Sequence, residues 1–99
     1  MYCKIWNFTV ESSKQGKFEE EYGRTGSWFK FFETCEDFLG LELMKNSNGE
    51  SYVVIDRWMS KEDYEDYIDE NQAVYDDLKE KDKALYSNEQ NVGEFNILQ

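Results

Sequence analysis

Residues 2–10, YCKIWNFTV, alternate along the chain as a half-buried strand does. One face carries Tyr2, Lys4, Trp6, Phe8 and Val10, and the other Cys3, Ile5, Asn7 and Thr9. Ser12 with Gln15 three residues on matches a capping box, which predicts a helix starting near Ser13. Phe18 and Tyr22 stand four apart on one face of that helix. Gly23 and Gly26 interrupt it, and Trp28, Phe29 and Phe32 resume helical spacing, so a broken helix is predicted over about 13–34. FLGLELMK (38–45) is strand-like again, with Leu39, Leu41 and Leu43 on one side and Phe38, Gly40, Glu42 and Met44 on the other. The Asn48-Gly49 pair favours a tight reversal, and the β-branched, aromatic run SYVVIDRWM (51–59) reads as the return strand of a hairpin. Ser60 followed by Glu62 and Asp63 is a helix start, because a hydroxyl and early acids satisfy or complement the free N–H groups there. Tyr64, Tyr67 and Ile68 form the apolar stripe of this helix. Val74, Leu78 and Leu85 continue a stripe over about 73–86, and VGEFNI (92–97) closes as a short strand.

The predicted order is β-α-β-β-α-β, the ferredoxin-like α+β arrangement: a four-stranded antiparallel sheet with helices on one face. Such a sheet leaves its second face bare, and a water-facing strand should be polar at alternate positions. Residues 52–59 are not: Tyr52, Val54, Asp56 and Trp58 share one face, and Val53, Ile55, Arg57 and Met59 the other. Large exposed apolar patches are rare in monomers. The simplest cover is a second copy related by a two-fold axis, so a homodimer is expected.

At 99 residues the chain holds one domain spanning 1–99. Only 39% of it is hydrophobic, but 7 Phe, 7 Tyr and 3 Trp supply large buried surfaces, which excludes disorder. The net charge of -11 excludes phosphate backbones and anionic membranes as partners. No apolar run approaches the roughly 20 residues of a membrane span, and from its alternation the N-terminus is not expected to be a signal peptide. A cytoplasmic domain is expected. Cys3 and Cys35, far apart, make neither a zinc site nor a CxxC pair and are expected as free thiols.

Histidine is absent, which removes Ser-His-Asp and Cys-His catalysis and the commonest metal and haem ligand sets. No metal site and no cofactor are expected. Chemistry then falls to carboxylates, Tyr, Trp, Asn, Arg or Cys, or to the substrate itself. Asn7, Glu42, Asp56 and Arg57 interrupt apolar strands. Each reads either as a group aimed at a ligand space between sheet and helices, or as an edge, turn or ion-pair position. Asn7 is the sharpest of them, because an amide in a central strand needs partners. Trp28 and Phe32 either line the same space or are plain core.

The string Phe18-x3-Tyr22-Gly23-x2-Gly26-x-Trp28, the segment Phe38-Leu39-Gly40-x-Glu42-Leu43, and Ile55-Asp56-x-Trp58-x-Ser60 before an acidic helix are similar to the antibiotic biosynthesis monooxygenase domain, a branch of the dimeric α/β-barrel superfamily. The resemblance covers nearly the whole chain. It implies a homodimer with facing sheets, a ligand cavity in each subunit, and a cofactor-independent monooxygenase acting on a small aromatic or quinone-like compound. It further implies Asn7 and Trp28 as catalytic residues stabilising a developing anion or radical. Phe32, Glu42, Asp56, Trp58, Tyr64 and Tyr75 are the substrate-binding expectations. The haem-degrading branch is matched at Asn7, but Tyr67 and Asp77 stand where it has Trp and the iron-binding His, so haem degradation is not expected. Two other readings stay open. One is a non-catalytic dimeric ligand-binding or stress-related domain on the same fold. The other is an isomerase or decarboxylase with Glu42 or Asp56 as base.

Overall fold

A computed structural model describes residues 1–98. The strands are β1 (Tyr2–Thr9), β2 (Phe38–Lys45), β3 (Ser51–Trp58) and β4 (Asn88–Asn96). The helices are α1 (Gln15–Tyr22), α2 (Ser27–Phe32), α3 (Lys61–Glu70) and α4 (Gln72–Asp82). The sheet order is β2-β3-β1-β4 with every pair antiparallel, the ferredoxin-like topology that the element order predicts.

Local chemistry explains most boundaries. The Ser60 hydroxyl accepts the Asp63 N–H at 3.1 Å and starts α3 with Glu62 and Asp63 in its first turn. Such a cap stabilises a helix by about 1 kcal/mol. The capping box expected at Ser12 does not form: residues 12–14 make a 3₁₀ turn, and α1 begins at Gln15. The Gln15 amide instead donates to the carbonyls of Val10 at 3.1 Å and Gly49 at 2.7 Å, tying the start of α1 to the β2–β3 loop. The break between α1 and α2 falls where expected. A Cβ at Gly26 would run into the carbonyl oxygens of Glu20 and Glu21, so only glycine lets α2 start against the end of α1.

Two face assignments change. In β2, Phe38 pairs with Trp58 and Gly40 with Arg57, so Leu39 is an extra residue in a bulge. Gly40 accommodates it at φ +143°, a left-handed value that disfavours residues with a Cβ. Phe38 therefore joins Leu41 and Leu43 on the helix side, packing on Phe29, Phe32 and Trp58, while Leu39 is 42% exposed. In α4 the inward side is Tyr75, Leu78 and Asp82, and Val74 is exposed.

The core lies between the sheet and the helices and is mainly aromatic. Trp58 is fully buried, with ring centroids of Phe32, Phe38 and Tyr64 at 5.0, 5.1 and 5.2 Å. The other sheet face carries half-buried Ile5, Val53 and Ile55, with exposed Met44 and Phe95 toward its edges. Cys3 and Cys35 are free thiols.

Candidate functional site

On the helix side, alternation in β1 and β3 aims Trp6, Phe8, Val54 and Asp56 at the helices. Tyr22 from α1, Trp28 and Phe32 from α2, Tyr64 from α3, and Tyr75 and Lys79 from α4 close over them. The resulting cavity measures about 50 Å³ and is completed by Leu41 and Glu89. Trp6, Leu41, Tyr75, Lys79 and Glu89 are the lining residues that reach solvent, so the mouth lies among them. One water needs about 10–15 Å³ by this measure, so the aromatic side chains leave room for only a few.

Asp56 is the polar feature of the floor, 3% exposed. Its Oδ2 accepts the Trp58 indole N–H at 2.7 Å. Burial pushes its carboxyl up to about 6, and the indole N–H and the charge of Lys4 only partly offset this. Lys4 is its neighbour across the β1–β3 pairing. The Lys4 ammonium stands 5.0 Å from the Trp6 ring centre and 4.8 Å from that of Tyr64. The Lys79 ammonium stands 5.4 Å from Trp6 and 5.6 Å from Tyr75, and 3.7 Å from the Glu89 carboxylate. Two cations thus face the aromatic wall beside one buried acid.

Trp28 is held from behind. Its Nε1 donates at 3.0 Å to Oδ2 of Asp82, which is 1% exposed. Burial, then the nearby Glu21 carboxylate, raises the Asp82 carboxyl above its ordinary range. Burial also holds the Tyr22 and Tyr64 phenols well above their usual value, so both stay protonated and keep an O–H to donate.

Of the residues singled out from the sequence, Trp28, Phe32, Asp56, Tyr64 and Tyr75 line the cavity together. Trp58 lies beneath it, fully buried, and backs the lining residues Asp56, Phe32 and Tyr64. Asn7 and Glu42 are corrections. Asn7 lies between Trp6 and Phe8, so strand alternation turns it to the opposite sheet face, outside the cavity. Glu42 is on that same far face, exposed and ion-paired with Arg57. Sequence reasoning missed Trp6, Lys79 and Glu89. Trp6 shares a β1 face with Phe8, and Lys79 follows Tyr75 at helical spacing, so both carried a signal. Glu89 is set only by its pairing opposite Phe8. Among the described residues no group of three Cys, Asp or Glu side chains could hold a metal, and no helix is long and apolar enough to cross a membrane.

No protein-family model matches the sequence, and no curated protein is similar to it in sequence. Solved structures are similar in fold. SnoaB, a cofactor-independent oxygenase from Streptomyces nogalater, superposes with a TM-score of 0.79 at 22% identity, covering 99% of this chain and 93% of its own. A monooxygenase from the gene ActVA-Orf6 of Streptomyces coelicolor, in complex with nanaomycin D, gives 0.72 at 18% identity over 99% and 91%. This chain has the antibiotic biosynthesis monooxygenase fold. MhuD, solved with two manganese protoporphyrin IX molecules per active site, gives 0.75 at 19% identity over 100% and 96%. The fold of this chain is therefore shared end to end with these three proteins.

Proposed function

We propose that this chain is a cofactor-independent monooxygenase of a small aromatic or quinone-like compound, working as a homodimer. The observation that carries the reading is the cavity itself: an aromatic enclosure with one buried carboxylate, Asp56, on its floor and an indole, Trp28, fixed by Asp82 in its wall. A flat substrate would stack on these rings, with Trp28 holding its plane, lose its hydration, and react with dioxygen where the Tyr64 hydroxyl stabilises the developing charge. The likeness in fold to SnoaB supports the oxygen chemistry.

Dioxygen uptake with hydroquinones and dihydroxynaphthalenes tests it. The wild type should consume oxygen with at least one, and Trp28→Phe should slow uptake by on the order of tenfold. No uptake with any of them, together with ligand-dependent melting shifts, would instead support the non-catalytic binder. The placement of Asn7 outside the cavity favours that second reading, because only one of the two expected catalytic groups lines the space.

The homodimer rests on the far sheet face, where Ile5, Val53, Ile55, Met44 and Phe95 lie together and the Glu42–Arg57 pair is the main charge. Sedimentation at micromolar concentration should give twice the chain mass, and Ile55→Glu, which puts a charge at the centre of that face, should give a single chain. A wild-type protein sedimenting as a monomer would remove the dimer from the proposal.

A further inference from the structure

Asp56 is placed to do more than line the floor. A carboxylate has about four acceptor positions. The Trp58 indole N–H and the backbone N–H of Asp56 itself supply two hydrogen bonds, and its side chain meets the cavity. The charged and titratable groups around it come from every neighbouring element. Tyr2 and Lys4 are on β1, Tyr64 on α3, Tyr75 and Lys79 on α4, and Glu89 and Glu94 on β4, while β2 adds only apolar Leu41. The acids among them are already engaged: Glu89 with Lys79 at 3.7 Å, and Glu94 with Lys61 at 2.6 Å. Among the described residues Lys4 has no carboxylate within 4.0 Å, and its ammonium stands behind the lining rings of Trp6 and Tyr64.

We propose that the cavity takes a one-ring hydroxyaromatic with an acidified O–H, and that Asp56 is the group that accepts its proton. This deepens the monooxygenase reading and rests on it for the site, though not for turnover. In the step, the ligand O–H bond breaks, an O–H bond forms on Asp56, and the electron pair stays on the ligand oxygen. The ligand–Asp56 pair carries one negative charge before and after, and no oxidant or reductant takes part. Lys4 and Lys79 stand where the new phenolate charge is stabilised.

Three observations shape the ligand. The volume of about 50 Å³, open at the Lys79 and Glu89 side, favours one ring over fused rings. The two ammonium groups over Trp6, Tyr64 and Tyr75 already occupy the ring faces that an organic cation would need, so the site favours an anion-forming guest. Proton transfer is easiest between groups of similar acidity. Because burial lifts Asp56 to about 6, its best match is a phenol acidified by a conjugated carbonyl or nitro group.

Anaerobic titration of the full chain with 4-nitrophenol, 4-nitroanisole, a three-ring hydroxyanthraquinone and benzyltrimethylammonium tests this, read by tryptophan fluorescence and by the nitrophenolate absorbance near pH 6. The phenol should bind roughly tenfold tighter than its methyl ether, as expected for a hydrogen bond to a charged acceptor. Bound phenol should show more phenolate than free phenol at the same pH. Asp56→Asn, which keeps the shape of the side chain, should lose the extra phenolate while still binding the ether. Equal binding of phenol and ether, an unchanged phenolate band in Asp56→Asn, or tighter binding of the three-ring compound or the ammonium ion would overturn the proposal. The two readings separate cleanly. A phenolate band without dioxygen uptake rejects the monooxygenase and keeps the proton acceptor, whereas uptake unaffected by Asp56→Asn does the reverse.

Discussion

Trp58→Ala should cost about 4 kcal/mol of folding free energy, the largest loss expected from any single truncation here. The indole is fully buried, its ring meets those of Phe32, Phe38 and Tyr64 within 5.2 Å, and its N–H is the hydrogen-bond donor to Asp56 Oδ2. Alanine removes the packing and also leaves a buried carboxylate short of a donor. Domains of this size hold roughly 5–15 kcal/mol in all. Since 1 kcal/mol moves Tm by about 4–8 °C at this length, a fall of around 20 °C is expected in a thermal melt followed by circular dichroism. A fall of only a few degrees would mean that the aromatic core repacks around the gap, contrary to its close packing here.

Asp56→Asn should do the opposite at neutral pH and stabilise the fold. The carboxyl has an ordinary value of 3.8 and is lifted by burial to about 6 in the folded chain. Between those values the folded state holds a proton that the unfolded chain releases. Its favourable contribution is complete below about pH 4 and is lost as the pH rises through about 6. Above that, the ionised side chain lies buried at a cost of about 3 kcal/mol, from roughly 1.4 kcal/mol per pKa unit. Asparagine keeps the acceptor for the Trp58 indole and carries no charge. Urea denaturation should therefore show the variant more stable by about 2–3 kcal/mol at pH 7, with the difference vanishing near pH 4. A gain of equal size at both pH values would trace the effect to packing and not to charge. The sign connects stability with function: an acid that costs the fold energy at neutral pH is one whose proton affinity is raised for use in the cavity.

Strand alternation, helix periodicity and the cap at Ser60 are short-range properties, and they were legible residue by residue. They carried the element order, the antiparallel sheet, the break at Gly23–Gly26, and the grouping of Tyr2, Lys4, Trp6, Phe8 and Val10 on one face of β1. The same alternation already placed Asn7 and Trp6 on opposite faces of β1. What it could not say was which face would meet the helices around a cavity, which Trp6 lines and Asn7 does not. The bulge at Leu39 was hidden for a related reason. An extra residue reverses the faces before it, and only the pairing of Phe38 with Trp58 reveals it.

The sequence by itself determined the α+β element order, the aromatic character of the core, and the absence of any histidine-based chemistry, because these follow from composition and from contacts within a few residues. Only the tertiary structure decided that Asp56 is buried with its acidity shifted, that Glu42 is merely ion-paired on the far face, and that Lys79 and Glu89 stand at the mouth. Burial and electrostatic environment are sums over neighbours supplied by distant parts of the chain. A carboxylate therefore acquires its chemistry only when the strands and helices around it have closed.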